Sequence, residues 1–513
     1  MSAQRLNPTP PGNPSALGRI LKYTGIFGGV QGFYVLMSVV RSKITAELLS
    51  TRGVGLIGNF NRAVDFIGAA TGLGLSFSAV QRISRLAERG NERATAHYVC
   101  LVRSWILIAA LVGLLVMAAG APLWSYFYFE TTAYTPHFLL LAPLVALTTL
   151  SGGELAVLKG LRRIKSMALI STLSTLSTLT LTTLLYGQWG VAAIVPALLL
   201  CTAVLFGLQL RTTHRLVPYT VRITSWRFLR KGRLMLRLGT AYALSNFIAL
   251  GTESAVRALI LRHPEAAGLP LLTGTEAVGI YGTGLTLVVT YSRLIFMSMD
   301  AEYYPRLSAL THRIALQNEA VNRQIDVLVL LISPFLLAFA LCLPYLIPLL
   351  YTPAFLPVVP MVMGALLALF FKAVVTPIAY LSLAHARSRL YLGLELTYSA
   401  VSLLLLAGGY LQFGFSGAGW GLTLSYLIYL FVVYFNCRRA FGFAFERTTL
   451  RRALSQLLLV LPALLAMAFL SSWARAAVGT VFLLGSLALS WQLLRHAVHL
   501  PARLHRLFHR SED

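Results

Sequence analysis

Acidic residues are scarce in this 513-residue chain: 17 Asp and Glu stand against 43 Lys and Arg, and charged residues of either sign make up only 12%. Soluble domains usually carry about 25% charged residues, so the sequence excludes an ordinary soluble enzyme. Cysteine is equally sparse. Cys100, Cys201, Cys342 and Cys437 are far apart and lie in or at the ends of apolar runs, which argues against a disulfide framework or a metal site. The ten histidines show no zinc-ligand motif, and His505 with His509 in the C-terminal tail make a weak pair. No glycine cluster has the strand-to-helix setting of a phosphate-binding loop, so no nucleotide-driven pump is visible. The first sixteen residues hold Pro8, Pro10, Pro11 and Pro14, and no short apolar run with a small-residue cleavage site follows them. They read as a disordered cytoplasmic tail, not a signal peptide.

What the chain does have is apolar length. Hydrophobic residues make up 57% of it, and mean hydropathy is +0.73. Apolar runs fall at 25–46, 53–78, 98–119, 137–158, 167–187, 190–210, 238–261, 277–300, 325–348, 358–383, 391–411, 418–436, 454–472 and 475–494. Each approximates the roughly 20 residues that a helix needs to cross a bilayer. The expected fold is therefore an all-α polytopic membrane protein of about fourteen transmembrane helices.

The net charge of +26 could mark nucleic acid, anionic lipid or membrane topology, and its distribution decides. With loops assigned alternately inside and outside, 33 of the 43 basic residues fall inside, three (Arg52, Arg262, Arg475) outside, and seven within the apolar runs or at their ends. This is the positive-inside pattern, and it places both termini in the cytoplasm. The aromatic stretch Trp124 to Phe129 falls at an outer helix end, where interfacial rings belong. Segment 211–237 mixes eight basic residues with Tyr219, Trp226 and Phe228. It reads as a cytoplasmic linker lying partly on anionic lipid, and no nucleic-acid partner is expected.

A repeat organises the helices. Gly53–Gly58 (GVGLIG) opens the second run and Ala277–Gly282 (AVGIYG) the eighth; at the same offset, Arg82-Ile-Ser-Arg-Leu86 matches Arg306-Leu-Ser-Ala-Leu310. Glycines that help helices pack, and basic residues that mark an inner edge, account for each end separately but not for their equal spacing. The expected organisation is a tail (1–16), a six-helix bundle (17–210), the basic linker (211–237), a second six-helix bundle (238–437), two added helices (438–494) and a cytoplasmic tail (495–513). Two bundles of even helix number share orientation and suggest alternating access around a central cavity.

Ionisable residues inside the membrane cost on the order of 2.5–3.5 kcal/mol each by insertion scales, so they should face a cavity or a partner. The candidates are Arg41, Lys43, Arg62, Asp65, Glu253, Arg257, Arg293 and Lys372. Arg62 with Asp65 (i, i+3) and Glu253 with Arg257 (i, i+4) are each expected to pair on their own helix. Arg41, Lys43, Arg293 and Lys372 remain as surplus cations, although Arg41 and Lys43 lie near a helix end and can also snorkel. The proposed cationic cavity of Arg41, Arg62, Arg257, Arg293 and Lys372 suits an anion, since Arg offers a planar donor fork for phosphate. Gln31, Asn59, Asn61 and Asn246 are polar neighbours that could line the same space. Asp65 and Glu253 are placed for ion coupling or for structural pairing. The hydroxyl-rich stretch Ser171 to Thr183 reads as tight packing in preference to a polar path, with hydroxyls bonding back to their own helix, and Gly417, Gly419 and Gly421 as close helix contacts.

Leu21-Lys-Tyr-Thr-Gly-Ile-Phe-Gly-Gly-Val-Gln31, Gly53-Val-Gly-Leu-Ile-Gly58, Gly74-Leu-Ser-Phe-Ser78 and Tyr304-Pro-Arg-Leu-Ser308 resemble bacterial O-antigen translocases, which are oligosaccharide flippases of the multidrug/oligosaccharidyl-lipid/polysaccharide exporter (MOP) superfamily. The resemblance spans about residues 17–440. It implies a non-enzymatic transporter in the bacterial cytoplasmic (inner) membrane that turns a polyprenyl-pyrophosphate-linked oligosaccharide, such as an undecaprenyl-pyrophosphate-linked O-antigen unit of lipopolysaccharide, from the inner to the outer leaflet. It implies no bound cofactor, coupling to sodium, protons or the membrane potential, and as partners membrane lipids and the pathway's glycan polymerase and glycosyltransferases. Members of that branch often have twelve helices. Fourteen is a departure shared with the lipid II flippase of peptidoglycan synthesis, which stays open as an alternative, as does an ion-coupled multidrug exporter. No outer loop is long enough to hold the acids or histidines of a membrane glycan polymerase.

Overall fold

The structure, a computed structural model, describes residues 14–222, 230, 232–269, 271–298, 303–385, 387–470 and 472–498. Among them there are helices and turns but no strand. That follows from the apolar runs, because a bilayer offers a backbone no hydrogen-bond partner and a helix satisfies its own. In chain order the N-terminal half contains α1 (Pro14–Gly72), α2 (Leu75–Glu88), α3 (Glu92–Ala119), α4 (Ala121–Phe129), α5 (Thr135–Gly160), α6 (Ile164–Trp189) and α7 (Ile194–Leu216). After the linker come α8 (Arg233–Arg262), α9 (Gly274–Ser298), α10 (Tyr304–Ala309), α11 (Ile314–Leu350), α12 (Val359–Ala384), α13 (Ser388–Phe441), α14 (Arg447–Phe469) and α15 (Ser472–Val498).

At 1.5 Å per residue, an unbroken 59-residue α1 would run about 90 Å, roughly three bilayer cores. It breaks at Ser50 (φ 57°, ψ −172°) and so makes two crossings. The 54-residue α13 breaks in the same way at Phe413 and Gly414. Gly414 has φ +60°, and a Cβ there would meet the Ala266 carbonyl oxygen at 2.7 Å, so glycine answers both the turn and the close approach. With α1 and α13 counted twice, and α2, α4 and α10 as short continuations, the described helices give fourteen crossings. Nine described stretches are long and apolar enough to cross a membrane, and two of them, Lys165–Leu216 and Ser388–Phe441, each contain two helices. The chain is a multi-pass membrane protein.

Apolar residues run all round α12, and such a helix belongs in a core. It is buried almost continuously from Met361 to Ala379 and anchors the main cluster of the C-terminal half. A Cβ at Gly419 would overlap the Met361 backbone, and one at Gly417 or Gly421 the first half of α13. These three glycines do mark close helix contacts. The smaller clusters of the N-terminal half include one around Phe60, Phe129 and Phe138 and one around Leu75, Ile83, Ile106 and Val157. The added helices α14 and α15 pack on α11 and on each other. Arg452 pairs there with Asp326, and Gln456 bonds Ser486 and Ser490 between the two helices.

The repeat has a structural counterpart. A Cβ at Gly55 would overlap the Thr275 carbonyl oxygen, and one at Gly279 would overlap the Thr51 carbonyl oxygen. The second crossing of α1 therefore meets α9 backbone to backbone, and each glycine faces the residue four positions before the other. Toward the end bearing the basic loops, the halves meet again, where Gly74 (φ +61°) lies against Gly239 of α8. The linker starts from a buried anchor at that same end. Arg103 gives two 2.8 Å bonds to Glu154, donates to the carbonyls of Val217 (3.2 Å) and Pro218 (3.0 Å), and lies 4.7 Å from the Tyr219 ring centroid.

Candidate functional site

Where α1 faces α8, Glu253 Oε1 lies in ion-pair contact 2.9 Å from Arg62 Nη2 and 3.1 Å from Arg257 Nη2, and accepts from Arg257 Nε at 3.1 Å. One carboxylate thus clasps two guanidinium groups, one from each half. The sequence suggested two separate same-helix pairs; the i, i+4 pair forms, but Glu253 also reaches across to Arg62. Asp65 stands 3.9 Å from Arg62 Nη1 with its side chain 56% exposed. The Arg257 side chain is only 6% exposed and fits between Gly58 and Gly282, where added Cβ atoms would lie 3.0 and 3.1 Å from its Nη1. Those glycines, equivalent in the repeat, make the room that the guanidinium occupies. Arg257 Nη1 and Arg62 Nε are buried donors without a hydrogen-bond partner.

Three cavities surround this cluster. The largest, about 540 Å³, is walled by both crossings of α1, α6, α7 and α9, and takes in Arg41, Arg62, Arg257 and Asn61. Arg41 has no acidic partner among the described residues. The second, about 440 Å³, lies beside α1, α2, α5 and α8 and is lined by Asp65, Asn246, Ser76 and Thr148. The third, about 180 Å³, belongs to the C-terminal half and is lined by Glu253, Tyr281, Lys372, Tyr398 and Tyr426.

The structure therefore brings together Arg41, Arg62, Arg257, Asp65 and Glu253, and it sets Lys372 apart. Lys372 lines the third cavity, 5.0 Å from the Phe296 ring centroid, and shares with the cluster only Glu253. Arg293 is on α9, with its side chain outside the described residues, as is that of Gln31. Asn59 is buried against Tyr128, to whose carbonyl it donates at 3.0 Å. Lys43 is not surplus: it pairs with Glu47 at 3.2 Å and donates to the carbonyls of Pro348 (2.8 Å) and Tyr351 (2.6 Å) at the C-terminus of α11.

Sequence reasoning missed three features. Arg103 and Glu154, with side chains 2% and 3% exposed, form the most buried ion pair described, although a lone acid in an apolar run was signal enough. Glu395 on α13 carried the same signal; it is bonded by the Tyr429 hydroxyl at 3.3 Å. The hydroxyls of α6, read as packing groups, line the largest cavity through Ser174, Thr175, Thr178 and Thr182.

The sequence matches the polysaccharide biosynthesis protein family over residues 44–360. No curated protein matches it. Among solved structures, the chain is similar to the lipid II flippase MurJ in an inward closed conformation (12% identity, 91% of this chain and 99% of that one, TM-score 0.67). It is also similar to an inward-facing multidrug resistance MATE family transporter of the MOP superfamily (15%, 80% and 94%, TM-score 0.66). A third similar structure is a MOP superfamily transporter from Pyrococcus furiosus Vc1 (16%, 81% and 93%, TM-score 0.58). At such identities the likeness concerns the fold.

Proposed function

The chain belongs to the polysaccharide biosynthesis protein family and has the fold of the MOP superfamily transporters, and from that premise we propose that it is a flippase for a polyprenyl-pyrophosphate-linked oligosaccharide. The cargo moves from the inner to the outer leaflet of the bacterial cytoplasmic membrane, and both termini of the carrier face the cytoplasm. The observation that carries this reading is the sign of the largest cavity: three arginines face it, and two of them hold buried N–H groups without a partner. A pyrophosphate supplies the acceptors those donors lack, in the bidentate geometry that guanidinium groups favour.

Anion binding and the Glu253 clasp compete for the same two arginines. A pyrophosphate that engages Arg62 and Arg257 frees the Glu253 carboxylate, which then needs a proton, a sodium ion or Lys372 across the third cavity. That exchange ties cargo binding to a second charge and gives Glu253, with Asp65 nearby, a coupling role. An inside-negative potential adds roughly 2.3 kcal/mol per outward-moving negative charge per 100 mV if the whole field is crossed. The reading needs no covalent step.

Arg62→Ala and Arg257→Ala are each expected to abolish surface glycan while the protein remains inserted; normal surface glycan in both would sink the assignment. Deleting the gene and weighing the lipid-linked sugar that accumulates identifies the cargo. An accumulated peptidoglycan precursor would replace the O-antigen-type cargo with lipid II.

A further inference from the structure

We propose that the hydroxyl-bearing face of α6 is a glycan subsite, which holds the sugar next to the pyrophosphate while the arginines hold the anion. The inference rests on the function proposed above and adds to it the wall that reads the sugar. Ser174, Thr175, Thr178 and Thr182 recur at spacings that fall on one helical face, and all four line the 540 Å³ cavity that Arg41, Arg62 and Arg257 line from α1 and α8. Thr202 of α7 joins the same wall.

The donors of this wall are partly committed. Thr182 Oγ1 donates to the Thr178 carbonyl at 2.7 Å and Ser174 Oγ to the Ser171 carbonyl at 3.0 Å. A hydroxyl whose hydrogen is held by its own helix presents lone pairs outward, so these two groups act toward the cavity as acceptors. The opposite wall sets the guanidinium donors of Arg41, Arg62 and Arg257 among the hydroxyls of Ser38, Ser42 and Thr45 and the amide of Asn61. An apolar chain would leave the hydroxyls and guanidinium groups of both walls without partners. A molecule with anionic oxygens at one end and hydroxyl donors at the other matches both, and a glycosyl pyrophosphate is that combination. A cavity of this volume falls in the range of roughly 300–1,000 Å³ that encloses a drug-sized ligand. It therefore takes the pyrophosphate with the first sugar or two, and the rest of a longer glycan lies outside it.

The test uses the full chain, purified in lipid nanodiscs, and two probes: undecaprenyl pyrophosphate, and the glycosylated pyrophosphate lipid extracted from the gene-deletion strain. The wild type should bind the glycosylated lipid more tightly. The double variant Thr178→Val, Thr182→Val should lose about tenfold on the glycosylated lipid and nothing on the bare one, as expected for one or two lost hydrogen bonds. Thr178→Ser with Thr182→Ser should restore the preference, which a purely structural role would not require. Unchanged preference in the valine variant, or no preference in the wild type, overturns the subsite and leaves the flippase reading intact. Failure of the wild type to bind either lipid overturns both.

Discussion

Replacing Gly55 by alanine should open the end of the protein opposite the basic loops. The new methyl would overlap the Thr275 carbonyl oxygen and stand 3.0 Å from the Thr275 carbonyl carbon and 3.1 Å from the Gly279 nitrogen. All three are backbone atoms, so no side chain can swing aside; the overlap with the oxygen governs, and α1 and α9 must separate by about 1.5–2 Å to reach ordinary contact distances of about 3.5–4.0 Å. Overpacking of this kind costs about 1–3 kcal/mol. In the alternating-access cycle of the proposed function this crossing is made only with that end shut, so the whole cost falls on the closed state and moves the closed-to-open ratio by roughly 5- to 150-fold. Gly279→Ala should act similarly, since its methyl would overlap the Thr51 carbonyl oxygen at the same crossing. The two together should give less than the sum, because the first already parts the helices. Gly68→Ala is the control: a Cβ there meets nothing within 4 Å. The assay is a spin-label distance between exposed positions Leu48 and Leu271, each replaced by cysteine on a background without the four native thiols. A lengthened distance in both glycine variants, but not in Gly68→Ala, is the expected result. An unchanged distance and melting temperature in Gly55→Ala would refute the reasoning.

Arg103→Ala leaves Glu154 buried beside only Thr213 and should cost about 3–5 kcal/mol, read as a lowered melting temperature. The double variant Arg103→Met, Glu154→Met should recover much of that loss, and a loss equal to the sum of the two single variants would contradict a buried pair. Lys43→Met removes a cation from the C-terminus of α11 and two of its hydrogen bonds, and should destabilise the shut end by about 1–2 kcal/mol in the same distance assay. His385, in the turn after α12, is held below its usual pKa by burial, Arg387 and His312, and it stacks on Phe441. The folded state thus prefers neutral imidazole, and this contribution to stability is complete above the ordinary pKa of about 6.5 and declines as pH falls below it. Melting temperatures between about pH 5 and 8 should show a shallower acid decline in His385→Asn than in the wild type.

The crossings were legible because they rest on a long-range average: apolar length sets the spans. The equal spacing of Gly53–Gly58 and Ala277–Gly282 also survived, since a duplicated contact keeps its spacing. What local inference could not supply was the partner from the other half. Both same-helix pairs form, Glu253 with Arg257 and Arg62 with Asp65, yet Arg62 also comes within 2.9 Å of Glu253 across the molecule. Glu154 stood out as a lone acid in an apolar run, but its partner Arg103 is 51 residues away, and no local spacing joins them. The threonines of α6 were misread because a hydroxyl that bonds its own helix serves equally well against a neighbouring helix or against water. Periodicity gives the face but not what lies opposite it.

The glycine crossing also bears on leakage. The nearest atoms that a Cβ at Gly55 or Gly279 would meet are all backbone atoms of the other helix. A shut end of that kind offers protons no chain of exchangeable groups to hop along, and ions no fixed charge to dwell on. On the proposed transport reading, a carrier with a charged interior can thus stand in an energised membrane as an insulator between turnovers.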